Sequence, residues 1–381
     1  SRIVKRTHKD FRKNYHHFST LVLSIIFGLF PFKYDKHTRE IKHSRSATYY
    51  CLFVNILILV ILASAASRSN TDVRFLKDKP LNLIINGINV FVNTVTLLVT
   101  LTSNWFERKK FFVIYTEILY IKQHLFNEEI ENDHFNRFFI HRCMLALAKM
   151  CSSMFAMYCI NPTPSHSFII LMALVFMLQG IILLIAIHFY INVLYLVSFF
   201  EEINKKLIQL HEELQLRTLY KRRKKQQHFV KVDLILTLAS EIDVLVALYL
   251  RLHRLSIQIN ETYQLRVLFL ILLESNWLKL TLYGQIIIVN LLDFHLIITI
   301  CEHLMETTKK TLIVLRRFND FGTLEVDLTT SLENFALKCS CIGLKIKLCG
   351  LFDLNQKSGH FIINSIIMYL VVLIQFDYKN L

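Results

Sequence analysis

Ala47-Thr-Tyr-Tyr-Cys-Leu-Phe-Val-Asn-Ile-Leu-Ile-Leu-Val-Ile-Leu-Ala-Ser-Ala-Ala66 runs for twenty residues without a charge. A helix of about 20 apolar residues matches the hydrocarbon thickness of a bilayer. A soluble core helix would show a polar face, and this run shows none. The stretch therefore reads as a membrane span, and the rest of the chain repeats the pattern. Leu81–Asn104 is uncharged but rich in Asn and Thr, and Phe139–Ile160 carries Arg142 and Lys149. Ser167–Phe200 has His188 as its one titratable base or acid, Tyr263–Leu304 is long enough for two spans split near Tyr283-Gly284, and His360–Phe376 is the last. The expected fold is an all-α membrane protein of seven transmembrane helices.

Composition agrees. Hydrophobic residues make up 54% of the chain, the mean hydropathy is +0.41, and only 8 Gly and 4 Pro punctuate 381 residues. The net charge of +15 is compatible with a nucleic-acid partner or with a loop bias, and its distribution decides between them. With the amino terminus inside, the inner segments 1–46, 105–138, 201–265 and 306–358 hold 35 Lys and Arg, against 5 in the outer ones. That asymmetry predicts a cytoplasmic amino terminus and an extracellular carboxyl terminus, and it removes the case for nucleic acid. The orientation is opposite to that of G-protein-coupled receptors, whose Asp-Arg-Tyr and Asn-Pro-x-x-Tyr motifs are also missing at the third and seventh spans.

The expected organisation is a cytoplasmic segment 1–46, four spans in 47–200, cytoplasmic helical extensions in 201–262, spans five and six in 263–304, an anchor segment 305–359, and 360–381 as the last span with a short outer tail. Within segment 1–46, Leu21–Phe30 is too short to cross a bilayer, has no cleavage-site pattern and reads as an interfacial helix. In the polar stretch, Ile203, Leu207, Leu210 and Leu214, then Leu234, Leu238, Ile242 and Leu245, recur at helical spacing and predict extensions packed on one another. The break between them, Lys221-Arg222-Arg223-Lys224-Lys225, reads as a solvated loop or a contact with anionic lipid.

No catalytic, cofactor or metal motif emerges. There is no phosphate loop, no His-Glu-x-x-His and no Gly-x-Ser-x-Gly, and the spacing of Cys339, Cys341 and Cys349 fits no common zinc pattern. Charges inside spans normally pair or face water. Snorkelling is expected for Arg142, while Lys149 has no partner evident in sequence.

The second span carries Asn82, Asn86, Asn89, Asn93, Thr96 and Thr100 on one helical face. Amides facing lipid are costly, so the stripe either bonds neighbouring helices or lines a ligand cavity. In the second case Asn86, Asn89 and Asn93 would be joined by Tyr158, Gln179, Asn276, Trp277 and Tyr283, aromatic walls with a few polar groups being the usual make-up of a small-ligand site.

The end of the chain is the most specific part. Gly350-Leu351-Phe352-Asp353-Leu354 precedes the last span, which contains Met368-Tyr369-Leu370-Val371-Val372-Leu373-Ile374-Gln375-Phe376. This resembles the signature of insect gustatory receptors, which reads Thr-Tyr, five hydrophobic residues, Gln-Phe, with Met368 in place of the Thr. The resemblance implies a ligand-gated, non-selective cation channel of the plasma membrane, built as a homotetramer or a heterotetramer with related receptors. It implies too that the seventh helix of each subunit lines one pore and that cytoplasmic helix ends form the anchor. Permeant cations, membrane lipid and a small-molecule tastant would be its partners. Met368, Val371, Val372, Gln375 and Phe376 would then form the pore face and gate, an apolar lining of the kind that gates by dewetting. Sugar receptors of the family tend to carry Glu after the Tyr, where this chain has Leu370, so a ligand other than sugar is expected. The rival readings are an odorant-receptor-type channel, which differs in the terminal motif, and a secondary transporter, which would need internal repeats.

Overall fold

The computed structural model describes residues 15–35, 40–72, 95–96, 98–126, 133–160, 166–223, 229–275, 284–321 and 326–379. The chain begins with α1 (Tyr15–Ile26), a short hairpin of β1 (Phe32–Asp35) and β2 (Glu40–His43), and α2 (Arg45–Asp72). Residues 98–106 are helical, and α3 (Arg108–His124) follows. Then come α4 (Asp133–Ile160), α5 (His166–Arg223), α6 (Phe229–Ser275), α7 (Gly284–Arg316) and α8 (Val326–Cys341). A second hairpin, β3 (Lys347–Leu348) and β4 (Phe352–Asp353), leads into α9 (Gln356–Lys379).

The helix in α5 is unbroken for 58 residues. From Ile181 to Phe200 it is buried on nearly every side, the mark of a helix at the centre of a bundle. It packs against α4, α6 and α7. Two of its buried amides donate to neighbouring helices. Asn204 Nδ2 donates to the Thr307 carbonyl at 3.0 Å, and Asn192 Nδ2 donates to the Tyr263 hydroxyl at 3.1 Å. In the polar stretch the periodic face of Ile203, Leu207, Leu210, Leu214, Leu238, Ile242 and Leu245 is buried between α5 and α6. Where such a leucine leaves water, it contributes about 1.5–3 kcal/mol. Arg251 on α6 reaches across to the Glu117 carboxylate of α3 with two N–H groups and lies over the Tyr120 ring, centroid 4.6 Å.

Two helical stretches among the described residues, Phe135–Phe155 and Phe176–Leu216, are long and apolar enough to cross a membrane, and Arg45–Val60 is a shorter apolar stretch. The expected second span is described only from Val95 onward, apart from residue 97.

The expected interfacial helix at Leu21–Phe30 is corrected in its bounds. Helix α1 starts earlier and stops at Ile26, because Gly28 at φ 68 turns the chain. Gly28 N–H bonds the Ile25 carbonyl and Leu29 N–H the Ser24 carbonyl, a Schellman ending. A Cβ at Gly28 would lie 3.0 Å from Val54 on α2. Leu29, Phe30 and Phe32 are then buried, with Phe30 against Phe111 at 5.2 Å and Phe32 against Phe112 at 5.4 Å between ring centroids. The segment is stapled into the bundle through α3.

Candidate functional site

The last helix is built to start at one defined place. Asn355 Oδ1 accepts the Ser358 N–H at 2.8 Å, an N-cap, and Glu302 Oε2 on α7 accepts the Gln356 N–H at 3.0 Å. Both satisfy donors that a helix start leaves open, and the carboxylate also suits the positive end of the helix dipole. Gly359 then touches Ile298 of α7 so closely that a Cβ there would collide with Ile298 Cδ1. Just before, Cys349 and Gly350 sit at φ 49 and φ 72, which turns β3 back into β4. The Gly of the Gly350-Leu351-Phe352 motif thus occupies a left-handed backbone position suited to glycine.

Beyond this stem, α9 presents an exposed stripe. His360, Phe361, Asn364, Ile367, Met368, Val371, Val372 and Gln375 are all exposed. The steps of three and four residues put them on one face. That face is apolar in the middle and polar at Asn364 and Gln375. The expected gate residues Met368, Val371, Val372 and Gln375 therefore share a face that is exposed among the described residues. The side chain of Phe376 lies outside the described residues.

Among the expected ligand residues, Asn86, Asn89, Asn93, Asn276, Trp277 and Tyr283 lie outside the described residues. Tyr158 is on the last turns of α4, its side chain also outside them, and Gln179 on α5 is half-buried. The inner end of the second-span stripe is described: Thr96, Thr100 and Asn104 are buried. Thr96 and Thr100 face Ile182, Ile185, Ala186 and Arg266 across a cavity of about 10 Å³, room for about one water. The open clefts of about 450 and 650 Å³ lie instead along the polar extensions of α5, α6 and α8, lined by Lys206, Glu213, Glu241, Asp243 and Asp327 among others.

Three charged residues that the sequence places in spans meet in a cluster that sequence reasoning missed. Arg142 and Lys149, two turns apart on α4, both reach Asp293 on α7. Arg142 forms an ion pair with it, and Lys149 Nζ lies 3.5 Å from Oδ2. All three are buried, and the Arg142 guanidinium sits 5.8 Å from the Tyr190 ring centroid. The snorkelling expected for Arg142 is thereby corrected: the side chain is fully enclosed, because a carboxylate and an aromatic face are available inside. The spacing of seven between two cations on one helical face was the available signal.

The seven described cysteines are free thiols, and no group of His, Cys, Asp and Glu among the described residues could hold a metal. Burial pushes the Cys339 thiol up to about 12, with a hydrogen bond to Tyr249 working the other way.

The comparisons with known proteins converge with this geometry. A family model described as 7tm Chemosensory receptor matches residues 17–380. The gustatory receptor for bitter taste 22e of Drosophila melanogaster is 26% identical over 383 residues, which span 94% of each chain. The insect olfactory receptor OR5 from Machilis hrabei shares the fold with a TM-score of 0.64 at 12% identity, covering 95% of this chain and all of that one. With the helical bundle, the capped last helix and a family match over nearly the whole length, this chain belongs to the 7tm chemosensory receptor family of insect gustatory receptors.

Proposed function

We propose that this gustatory receptor is itself a non-selective cation channel of the plasma membrane, opened by an external small-molecule tastant other than a sugar. The observation that carries the reading is the stripe on α9, which presents Ile367, Met368, Val371, Val372 and Gln375 away from its own bundle. Four copies of such a face around an axis, in a homotetramer or with related receptors, make an apolar conduit that closes by dewetting. Gln375 puts an amide ring at the outer end, and Phe376 follows it in sequence as a collar. The Lys and Arg asymmetry of the loops supports an inward amino terminus, which makes the polar extensions of α5, α6 and α8 the cytoplasmic anchor. Leu370 after Tyr369, and the bitter-taste name of a relative, support a ligand other than sugar.

Cysteine substitution tests the conduit. Val371→Cys and Gln375→Cys channels should lose current when a charged, membrane-impermeant thiol reagent is applied from outside during ligand exposure. Ile362→Cys and Ile363→Cys, on the half-buried side of α9, should not. If the reagent leaves current unchanged at 371 and 375, the stripe faces lipid and the pore lies elsewhere. A ligand opens the channel by as much as it prefers the open state, so Phe376→Ala should raise current without ligand.

A further inference from the structure

The hairpin after α1 turns a charged face outward. Phe32 and Ile41 are buried on its inner face, so strand alternation puts Lys33, Asp35, Glu40 and Lys42 on the other. The register sets Lys33 directly opposite Lys42 and Asp35 opposite Glu40. Like charges that face each other across a ladder are destabilising. Lys42 Nζ reaches diagonally to Asp35 Oδ2 at 2.8 Å. Lys33 is exposed and has no carboxylate within ion-pair reach among the described residues.

Two expected span ends flank this face. Ser44 alone separates β2 from α2, where Arg45 is exposed and the uncharged run begins at Ala47. Arg45, Tyr49, Phe53, Ile56 and Val60 follow at steps of three and four residues and are all exposed. One stripe of α2 thus runs from a cation through an aromatic to apolar side chains. Tyr49 lies about 6 Å along the helix from Arg45, a place suited to an aromatic at headgroup level. On the other flank, β2 packs on α3, and Phe32 rests on Phe112 there. Lys109, exposed, is one turn before Phe112 on α3. It follows Phe106, 80% exposed, and Arg108, whose guanidinium lies 4.4 Å from the Trp105 ring centroid. Aromatic rings beside cations therefore mark both ends, and the hairpin joins them.

We infer that the outer face of the hairpin and the head of α3 form a cradle for the headgroup of an anionic phospholipid, with Lys33, Lys42, Arg45 and Lys109 around the phosphate. A phosphate between Lys33 and Lys42 turns their repulsion into two charge-assisted hydrogen bonds. Arg45 adds a planar fork that matches two phosphate oxygens. The stripe of α2 selects a lipid over a free phosphate, because Phe53, Ile56 and Val60 offer an apolar track for an acyl chain leading away from Arg45. Asp35 and Glu40 sit two residues further along the strands, about 7 Å from the lysine pair, and hold Lys42 in place without occupying the cradle. The assignment to the inner leaflet, the anionic one, rests on the inward amino terminus proposed above.

Acetylation of lysines by an uncharged reagent, read residue by residue by mass spectrometry on the full chain in lipid nanodiscs, tests the cradle. Lys33 and Lys42 should react about fivefold more slowly when phosphatidylserine is added to phosphatidylcholine. Lys309 and Lys310, exposed on α7, should keep their rates. Glycerophosphoserine, the same headgroup without chains, should protect neither Lys33 nor Lys42 in phosphatidylcholine discs. In the variant Lys33→Gln/Lys109→Gln, which alters only exposed side chains, phosphatidylserine should lose most of its protection of Lys42. Equal rates with and without phosphatidylserine would overturn the proposal, and so would an equal slowing at Lys309 and Lys310. Protection by glycerophosphoserine alone, or full protection of Lys42 in the variant, would overturn it too. The discs present phosphatidylserine in both leaflets, so the outcome depends neither on orientation nor on ion flow, and epitopes at the two chain ends read the orientation separately.

Discussion

Asp293 answers two cations, Arg142 and Lys149, in a site closed to solvent. Removing one partner of a buried ion pair costs about 3–5 kcal/mol, because it leaves charge without compensation. Here two cations would lose the carboxylate at once. Asp293→Ala should therefore abolish folded receptor at the cell surface, measured by surface labelling. The triple variant with Arg142→Met and Lys149→Met replaces all three charges by apolar groups and should recover part of it. A triple variant no better than Asp293→Ala would mean that the carboxylate has a role beyond neutralising these two.

At the scale of elements, the stem of α9 is fixed to α7 by Glu302 and by the contact of Gly359 with Ile298, whereas the stripe beyond it is exposed among the described residues. Gly359→Ala pushes against Ile298 Cδ1. Overpacking of this kind costs about 1–3 kcal/mol, read as a lower melting temperature of the detergent-purified receptor. Ile298→Val removes the colliding carbon, so the double variant should regain most of the loss. Additive losses would place the strain elsewhere. The helical character of the chain and the motif at its end were legible because long apolar runs and the Tyr369–Phe376 pattern are local. The hairpins were not. Phe32–Asp35 and Glu40–His43 are strands of four residues in a basic stretch, where alternation has no length to show itself. Nor were the Ser24–His188–Tyr115 contacts or the identity of the partner of Lys149, since the spacing of seven from Arg142 marks a shared face but not which residue of a distant helix meets it.

For the whole molecule, the length of α5 sets the proportions. At 1.5 Å per residue its 58 residues span about 87 Å, roughly twice a bilayer with its headgroups at about 40–45 Å. The helix is therefore about twice as long as a bilayer is thick; α6 packs beside it, and α8 packs on α6 and α7. Which side the excess length lies on follows from the loop charges. An epitope placed after Leu381 should be labelled on intact cells and one before Ser1 only after permeabilisation. The reverse pattern would turn α9 upside down and remove the channel reading.

The Arg142–Asp293–Lys149 cluster also bears on how the chain is made. Each cation in a span adds roughly 2.5–3.5 kcal/mol to its insertion, so α4 enters the membrane poorly on its own. The carboxylate that neutralises it is 144 residues further along from Lys149, which at about 5–20 residues per second of synthesis is a wait of roughly 7–30 s. In the seven-span arrangement proposed above, α4 is held for that interval by the insertion machinery or lodged at the membrane surface, and α7 completes its insertion as it arrives. Premature termination anywhere between the two helices leaves the charges of α4 exposed, a natural mark by which quality control can recognise unfinished receptor.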